Sequence, residues 1–402
     1  MDRFDLMGII KLIEEEPSII PKTDFSSEAA RFLYEKYRNR IIIDFPTIIN
    51  DNYIIRSNGY VGYIPINDKF SLQILPKVPI QNLFRMLEYA YHLKSFEFLQ
   101  GQISVSSIKD VYENLASILA KRIIDRNRKG LYSSYILRNE TLPTIRGRVD
   151  LLPSIISLSR GSTYLKCVYD EQTTDISDNQ ILAWTLYQLR RFEFTRIDVR
   201  RSVRLAFREL MNKVSIKDIT LEECTNALYN RLNSDYRPMH GLCRFFLEYC
   251  GPGLEVGKYE FIPFMLNMPM LFESFVGEWL DEHLPREYRI KKQYHVSWDT
   301  EKRLLFKIDL ILTDSKGKEV FAVLDTKYKY KMEPETRDIE QIIAYAVRME
   351  TQKGFLIYPS SDTMNIQANA GRVKVTSLVF DIGSDIENSG KNFLADLLGR
   401  IN

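Results

Sequence analysis

The sequence predicts a multidomain protein of the α+β or α/β class. Its 402 residues, 45% hydrophobic and 27% charged, can build two or three cores and are typical of neither disordered nor fibrous chains. Short β-branched runs fill residues 1–100, helical periodicity prevails in residues 101–250, and residues 251–402 combine strands with amphipathic helices. We therefore expect a mixed, β-rich N-terminal domain, a largely helical middle region, and a C-terminal domain with a central mixed sheet flanked by helices.

The N-terminal region alternates short strands with turns. Asn58-Gly59 has the chemistry of a tight hairpin turn. A helix is predicted over Gln81–Leu93, because a helical pattern there follows Pro76 and Pro79. The predicted strands are Ile41–Phe45, Tyr53–Ser57, Tyr60–Ile64 and Ser71–Leu75.

The middle region has its clearest helical patterns at Lys109–Arg128 and Asn179–Phe194, with an irregular section between them. The acidic segment Leu165–Asn179 runs directly into the second helix. Its simplest role is capping by Asp178 or Asn179. A second metal site and pairing with nearby arginines are the alternatives. The region also contains two basic blocks, Lys121–Arg148 and Arg190–Arg208. Such blocks can bind phosphates or an acidic partner surface, and the alternative is that they are solvated helix faces.

A β-hairpin is the most informative feature of the last region. Its predicted strands are Leu304–Leu312 and Val320–Tyr328. Asp309 faces Asp325 across this hairpin, and Lys327 projects from the same side as Asp325. Facing carboxylates repel unless a cation neutralises them, and Mg²⁺ or Mn²⁺ prefers such oxygen ligands. The alternative is an ordinary hairpin whose three charged side chains face solvent.

Amphipathic helices are predicted on both sides of the hairpin. In Met270–Leu284, Glu273 lies at the edge of the buried stripe, where an unpaired carboxylate is costly. Glu335–Glu350 carries a polar stripe separate from its apolar side, which a solvated face also explains. That stripe consists of Asp338, Gln341, Tyr345 and Arg348. A strand, Gly354–Tyr358, follows.

This order of elements resembles the PD-(D/E)xK nuclease superfamily over roughly Pro269 to Phe380. The resemblance implies that Asp309 and Asp325 are metal ligands and that Lys327 is the catalytic lysine. It also implies that Glu273 is an accessory acid and that Gln341 positions water or phosphate. The chain departs from the literal motif, because the residue before Asp309 is isoleucine rather than proline and the second acid is Asp rather than the commoner Glu.

Further blocks extend the resemblance to most of the chain. They are the RGR-x-D turn at Arg146–Asp150 and the segments CVYDE…DNQIL, GYIPINDKFSLQILPKVPIQNLFRMLEYAY, MLFESFVGEWL and VLDTKYKYK. Together, over about residues 55–360, they resemble the McrC family, the nuclease subunits of McrBC modification-dependent restriction systems. A DNA endonuclease that cleaves with Mg²⁺ (or Mn²⁺) is the activity that this resemblance implies.

The resemblance to McrC also implies partners. An McrB-type AAA+ GTPase hexamer would read modified cytosine in double-stranded DNA, and this chain would bind that ring through its middle region and stimulate GTP hydrolysis. GTP would bind only through the partner, since the chain has no GxxxxGK[ST] loop. Double-strand cleavage would need a second copy on the DNA. We hypothesise that Arg146, Arg148 and Asp150 contribute to coupling with the ring.

Two other functions are compatible with the residues. The chain could be a partner-independent PD-(D/E)xK nuclease, or a non-catalytic adaptor that regulates a GTPase ring. No CxxC, HxH or HxxxH spacing indicates zinc, and the four cysteines are expected to be buried, reduced thiols. The N-terminus does not have the pattern of a signal peptide, and no run of about 18 apolar residues could cross a membrane. We therefore expect a cytoplasmic protein.

Overall fold

The computed structural model falls into two compact units. One contains Met1–Tyr112 together with Pro252–Asn402, and the other is Glu113–Gly251. The predicted three-region division, with boundaries near residues 100 and 250, stays a prediction. The structure describes residues 9–67, 70–93, 108–192, 194–249, 264–297, 305–330, 335–360, 362 and 366–401.

Two small sheets and two helices form the first part of the first unit, and the predicted strands of this part are confirmed within one residue. One sheet has the order β2-β4-β3, and β1, β5 and β6 belong to the other. The elements are β1 (Ile9–Ile13), β2 (Ser18–Pro21), α1 (Ser27–Tyr37), β3 (Ile41–Asp44), β4 (Asn52–Ser57), β5 (Tyr60–Pro65), β6 (Ser71–Leu75) and α2 (Ile80–Ala90).

Alternation along these strands builds the core beneath them. In β4, Tyr53 and Ile55 are buried and pack with Leu33 of α1 in one apolar cluster. Ser26 caps α1, because its side chain accepts a hydrogen bond from the backbone N–H of Ala29. The cap satisfies one of the backbone N–H groups that the first turn of the helix leaves without a partner.

The sheet of β1, β6 and β5 ends in a strand from far along the chain. This strand, β10 (Phe264–Asn267), pairs antiparallel with β5, and Met265 lies opposite Gly62. Asn267 then caps helix α9 (Met268–His283), which agrees closely with the predicted helix. The strand pairing therefore joins the beginning of the chain to its last third.

The largest sheet in the described part of the chain has six strands in the order β11-β12-β13-β14-β16-β15. It is mixed, as predicted, because β13, β14 and β16 are parallel and the other pairs are antiparallel. Helices α9, α10 and α11 contact it. The elements are β11 (Tyr288–Ser297), β12 (Leu305–Asp314), β13 (Val320–Thr326), α10 (Thr336–Arg348), β14 (Lys353–Tyr358), β15 (Gln367–Ala370), β16 (Val373–Val379) and α11 (Ile386–Ile401).

The second unit is largely helical but contains a three-stranded sheet of order β7-β9-β8. The irregular section predicted here was therefore wrong, since polar residues along β9 hide its pairing with β7. Its first helix, α3 (Ile108–Lys129), begins in the first unit and continues into the second. The remaining elements are β7 (Ser134–Leu142), β8 (Arg148–Val149), α4 (Leu151–Ser159), β9 (Leu165–Thr173), α5 (Ser177–Leu189), α6 (Ile197–Met211), α7 (Leu221–Thr225) and α8 (Tyr236–Tyr249).

The predicted cap of α5 was also wrong. Ile176 occupies the cap position, and its side chain makes no capping bond. Asn179 lies inside the helix and is fully buried, with its amide donating to the carbonyls of Tyr132 and Thr174 and its oxygen accepting from Tyr236. Its role is to satisfy backbone groups in the core, which favours an amide over a charged side chain.

The described cysteines Cys167, Cys224 and Cys243 are buried free thiols, as predicted, and Cys250 lies outside the described residues. Burial raises the pKa of the Cys224 thiol to about 12, so the group is not ionised near neutral pH. Among the helices that the structure describes, none combines the length and apolar character needed to cross a bilayer.

Candidate active site

The hairpin β12–β13 brings the two predicted aspartates together. Leu310 pairs with Leu324, so the same register continued by one residue sets Asp309 opposite Asp325. Asp325 is the last buried residue of β13, with a 1% exposed surface, because the strand lies between β12 and β14 in the middle of the sheet. The two carboxyl groups are close enough for the charge of Asp309 to act on Asp325.

Asp309 is held at the end of β13 by two hydrogen bonds. Its Oδ2 accepts from the backbone N–H of Thr326 at 3.0 Å and from the Thr326 hydroxyl at 3.1 Å. A side chain thus takes the place of a regular main-chain acceptor at this point of the ladder. The arrangement fixes the carboxylate beside the segment that carries Asp325 and Lys327.

Lys327 lies among several of the candidate residues. Its Nζ is 2.7 Å from Asp325 Oδ2, 3.2 Å from Gln341 Oε1 and 3.5 Å from Asp338 Oδ1. Asp338 also accepts a hydrogen bond from Lys329 at 2.8 Å. The start of α10 is therefore tied to the end of β13 by two lysines.

The polar stripe of α10 faces the sheet, so its interpretation as a solvated face was wrong. Gln341 donates through Nε2 to the hydroxyl of Tyr345, which donates to the carbonyl oxygen of Lys307 on β12. Arg348, further along the stripe, donates to the carbonyl of Ser297. This chain of bonds sets the position of the Gln341 oxygen toward Lys327.

Two residues of this network were not among the predicted site residues. Asp338 and Tyr345 are both nearly buried and contact Lys327 and Gln341, respectively. The sequence feature that pointed to these two residues was their spacing, which sets them on the same helical face as Gln341. Nothing in the sequence alone decides whether such a face meets a sheet or water.

Glu273 approaches the pair from α9. It is partly buried, and its Oε1 accepts a hydrogen bond of 3.3 Å from Nε2 of Gln293 on β11. Burial, and then the charge of Asp309, raise the pKa of this carboxyl group. The structure thus brings all five predicted residues into one region of the sheet.

The electrostatics favour an added positive charge. Burial and the repulsion of Asp309 raise the pKa of Asp325 to about 7, although Lys327 opposes this shift. Burial by itself lowers the pKa of Lys327, but Asp325 and Asp338 outweigh it, so the pKa lies above its ordinary value and the side chain is an ammonium ion at neutral pH. A buried carboxyl group that resists ionisation beside a second acid, as Asp325 does, is suited to a divalent cation.

Asp309 and Asp325 fit Mg²⁺ or Mn²⁺ as ligands. Mg²⁺ is usually held by one or two carboxylates and completes its shell with water and substrate phosphates. Within the residues that the structure describes, no group of three or more His, Cys, Asp or Glu side chains forms a ready-made cation site.

The predicted RGR-x-D turn lies in the second unit, between β7 and α4. Gly147 has φ of 67°, and a Cβ there would lie 2.5 Å from the carbonyl oxygen of Val168, so this position requires glycine. Arg148 is exposed on β8. Asp150 occupies the cap position of α4, where its backbone N–H donates to the carbonyl of Lys166.

Arg146 is partly engaged within its own unit. Its Nη1 lies 3.4 Å from Glu171 Oε1, and its guanidinium lies 4.0 Å from the ring centre of Tyr169. Arg138 binds the same Glu171 at 2.9 Å. The acidic segment therefore pairs with nearby arginines, one of the alternatives predicted for it.

Helix α4 exposes an unusual amount of apolar surface. Five of its side chains are between 49% and 77% exposed, and we call this set the α4 surface: Leu151, Leu152, Ile155, Ile156 and Leu158. A contiguous patch of exposed apolar residues often marks a site that binds another molecule. The α4 surface directly follows the RGR-x-D turn in sequence.

Comparison with known proteins gives three findings. A family model described as McrBC 5-methylcytosine restriction system component matches residues 55–359. The Type IV methyl-directed restriction enzyme EcoKMcrBC of Escherichia coli K12 is 24% identical over 342 residues, which are 79% of this chain and 94% of that protein. The fold resembles that of a chain in a refined half-complex of Thermococcus gammatolerans McrB AAA+ hexamers with bound McrC, with a TM-score of 0.56, 17% identity, and coverage of 98% of this chain and 100% of that one.

Proposed function

Because the chain belongs to the family of McrBC 5-methylcytosine restriction system components, we propose that it is the DNA-cleaving subunit of such a system. The observation that carries this proposal is the position of Lys327, 2.7 Å from Asp325 and 3.2 Å from Gln341, beside the carboxyl group of Asp309. Two acids and a lysine converge there from the hairpin, and the glutamine joins them from α10. We infer a nuclease core of the PD-(D/E)xK type.

In this proposal Asp309 and Asp325 would hold Mg²⁺ or Mn²⁺, and the chemistry that such a cation would supply is polarisation of a phosphate and a lower pKa of a bound water. Lys327 carries its positive charge to the phosphate oxygens and offsets the charge that develops there during cleavage. Gln341 orients Lys327 and an attacking water, and Glu273 is an accessory acid near Asp309.

The proposed partner is an McrB-type AAA+ GTPase hexamer, through which alone GTP acts on this chain. The relative of known structure is described as McrC bound to McrB AAA+ hexamers. In this chain the exposed α4 surface and the adjacent Arg148 offer an apolar and basic contact region, which supports binding through the second unit. The proposed substrate is double-stranded DNA with modified cytosine, and a second copy on the DNA would cut the other strand.

Substitution at the site tests this function. Asp325→Ala and Lys327→Ala should each lower GTP-dependent cleavage of methylated DNA by the assembled complex at least about a thousandfold, because the first removes a ligand of the cation and the second removes the positive charge beside the phosphate. Binding of the McrB-type partner should be unchanged in a pull-down. Asp396→Asn and Lys374→Ala, on α11 and β16, serve as matched controls with normal cleavage.

The same assay separates the two alternatives. A partner-independent nuclease would cut DNA with Mg²⁺ in the absence of both partner and GTP. A non-catalytic adaptor would stimulate GTP hydrolysis equally well with Asp325→Ala and would show no cleavage in any mixture. Normal cleavage by either site variant would refute the proposed active site.

A further inference from the structure

Gln293 has an unusual backbone conformation in the middle of a strand. Its φ is 49°, whereas Lys292 pairs with Leu310 and Tyr294 pairs with Ile308 in one unbroken register on either side. That register sets Gln293 beside Asp309 on β12. Left-handed backbone is rare for residues other than glycine, and it is rarer still between paired residues of a strand.

The conformation turns the side chain toward α9. Successive side chains of a strand normally point to opposite faces of the sheet. Lys292 already reaches α9, where its Nζ lies 2.8 Å from Glu278 and its stem packs against Gly277. Gln293 nevertheless reaches the same helix, because its amide donates to Glu273. The positive φ is what brings both neighbours to one side.

The other described non-glycine residues with positive φ have ordinary explanations. Glu15, His92 and Glu350 lie in turns or just beyond helix ends, where left-handed residues are common. Gln293 differs from them because it lies within a strand and beside the candidate active site. Strained backbone of this kind is retained where a function requires it.

We propose that Gln293 is a positioning residue that holds Glu273 toward the Asp309–Asp325 pair, an inference that rests on the proposed nuclease function. A neutral amide suits this position, since it donates to one carboxylate without adding charge beside another. A carboxylate or an apolar side chain at the same position would leave Glu273 free to turn away from Asp309. The strained strand is thus part of the active site.

Glycine at this position tests the proposal, because it removes the amide and relieves the strain together. In the full complex with the McrB-type partner, Gln293→Gly should lower kcat for DNA cleavage about tenfold or more, with KM for DNA unchanged. The melting temperature of the free chain should be equal to or higher than that of the wild type. Glu350→Gly relieves similar strain away from the site and should cleave normally.

A second variant identifies the residue through which Gln293 acts. Glu273→Gln should lower cleavage, and adding Gln293→Gly to it should lower cleavage no further. The proposal would be overturned if the two substitutions lowered the cleavage rate independently in the double variant. It would also be overturned if the melting temperature of Gln293→Gly fell in parallel with its cleavage rate, or if Glu350→Gly lost as much cleavage as Gln293→Gly. Normal cleavage by Asp325→Ala in the same series would instead refute the nuclease site itself, and the positioning role with it.

Discussion

Glu14 is a fully buried carboxyl group that links the first strand of the chain to the candidate active site. Its Oε1 accepts hydrogen bonds from the hydroxyl of Tyr328 at 2.6 Å and from the backbone N–H of Lys77 at 2.9 Å. Tyr328 directly follows Lys327. Burial is the main cause that raises the pKa of Glu14 from 4.5 to about 7, and the charge of Glu15 adds to it.

This pKa makes stability depend on pH. Glu14 binds its proton more tightly in the folded chain than in the unfolded one, so its contribution to stability is fully present below pH 4.5 and is lost as the pH rises to about 7. Glu14→Gln removes the ionisation. We expect the variant to match the wild type at pH 4.5 and to exceed its free energy of unfolding at pH 8 by up to about 3 kcal/mol. Thermal unfolding across this range measures the difference.

Glu15→Gln is the matched control for this prediction. Glu15 is more exposed and pairs with Lys77 at 2.9 Å, an interaction of the surface type that contributes little. Its substitution should change the melting temperature only slightly at either pH. If Glu14→Gln raised the free energy of unfolding by the same amount at pH 4.5 and pH 8, the role assigned to burial of the Glu14 carboxyl group would be contradicted.

At the scale of single residues, much of the candidate site followed from the sequence. Asp309, Asp325 and Lys327 were found because alternation along a strand fixes which side chains meet. Gln293 could not be found, since its contact with Glu273 arises from a left-handed φ that breaks this alternation. Asp338 was recognised as part of a stripe, but its burial depends on how α10 packs against the sheet.

At the scale of elements, strands bounded by clear turns were predictable. The hairpin strands β12 and β13 agree closely with the prediction, and Asp314, the last residue of β12, accepts hydrogen bonds from the backbone of Lys318 and Glu319 in the loop, as turn chemistry requires. Strands β7 and β9 were missed because polar and charged residues interrupt their apolar pattern. Such a pattern does not distinguish an exposed sheet from a loop.

The RGR-x-D turn and the α4 surface form the element to which we assign partner coupling. Arg146→Ala, Arg148→Ala and Asp150→Ala should each lower the partner's stimulated GTPase activity, because each removes a charge from the proposed contact. Leu152→Ser and Ile155→Ser should weaken partner binding about tenfold by removing apolar contact. None should lower the melting temperature by more than about 2 °C, since four of these side chains are exposed and the half-buried Asp150 makes no side-chain capping bond.

Substitutions elsewhere in the same unit control for this effect. Arg231 lies between α7 and α8 and is exposed, and Leu228 is 89% exposed. Arg231→Ala and Leu228→Ser therefore change similar surface outside the two basic blocks and should leave both GTPase stimulation and partner binding unchanged. Unaltered stimulation with Arg146→Ala, Arg148→Ala and Asp150→Ala would dismiss the coupling hypothesis.

At the scale of the whole molecule, strand pairing between distant parts of the chain could not be predicted from the sequence. The pairing of β5 with β10 joins residues about 200 positions apart, and the contact of Glu14 with Tyr328 spans even more of the chain. Local patterns carry no information about such contacts, so the sequence divided the chain into three successive regions. In the structure the first and last parts of the chain belong to one compact unit.

At Gly62 the pairing of β5 with β10 leaves no room for a side chain. A Cβ there would lie 1.9 Å from the carbonyl oxygen of Phe264, so alanine would force β5 away from β10. We expect Gly62→Ala to lower the free energy of unfolding by about 3 kcal/mol or more in urea, and to increase amide exchange along β10. Gly371→Ala has a positive φ with open space around it and should cost only about 1 kcal/mol. If both variants lost the same free energy of unfolding, strain from the positive φ alone would account for both losses. The pairing of β5 with β10 would then not be what joins the first part of the chain to its last third.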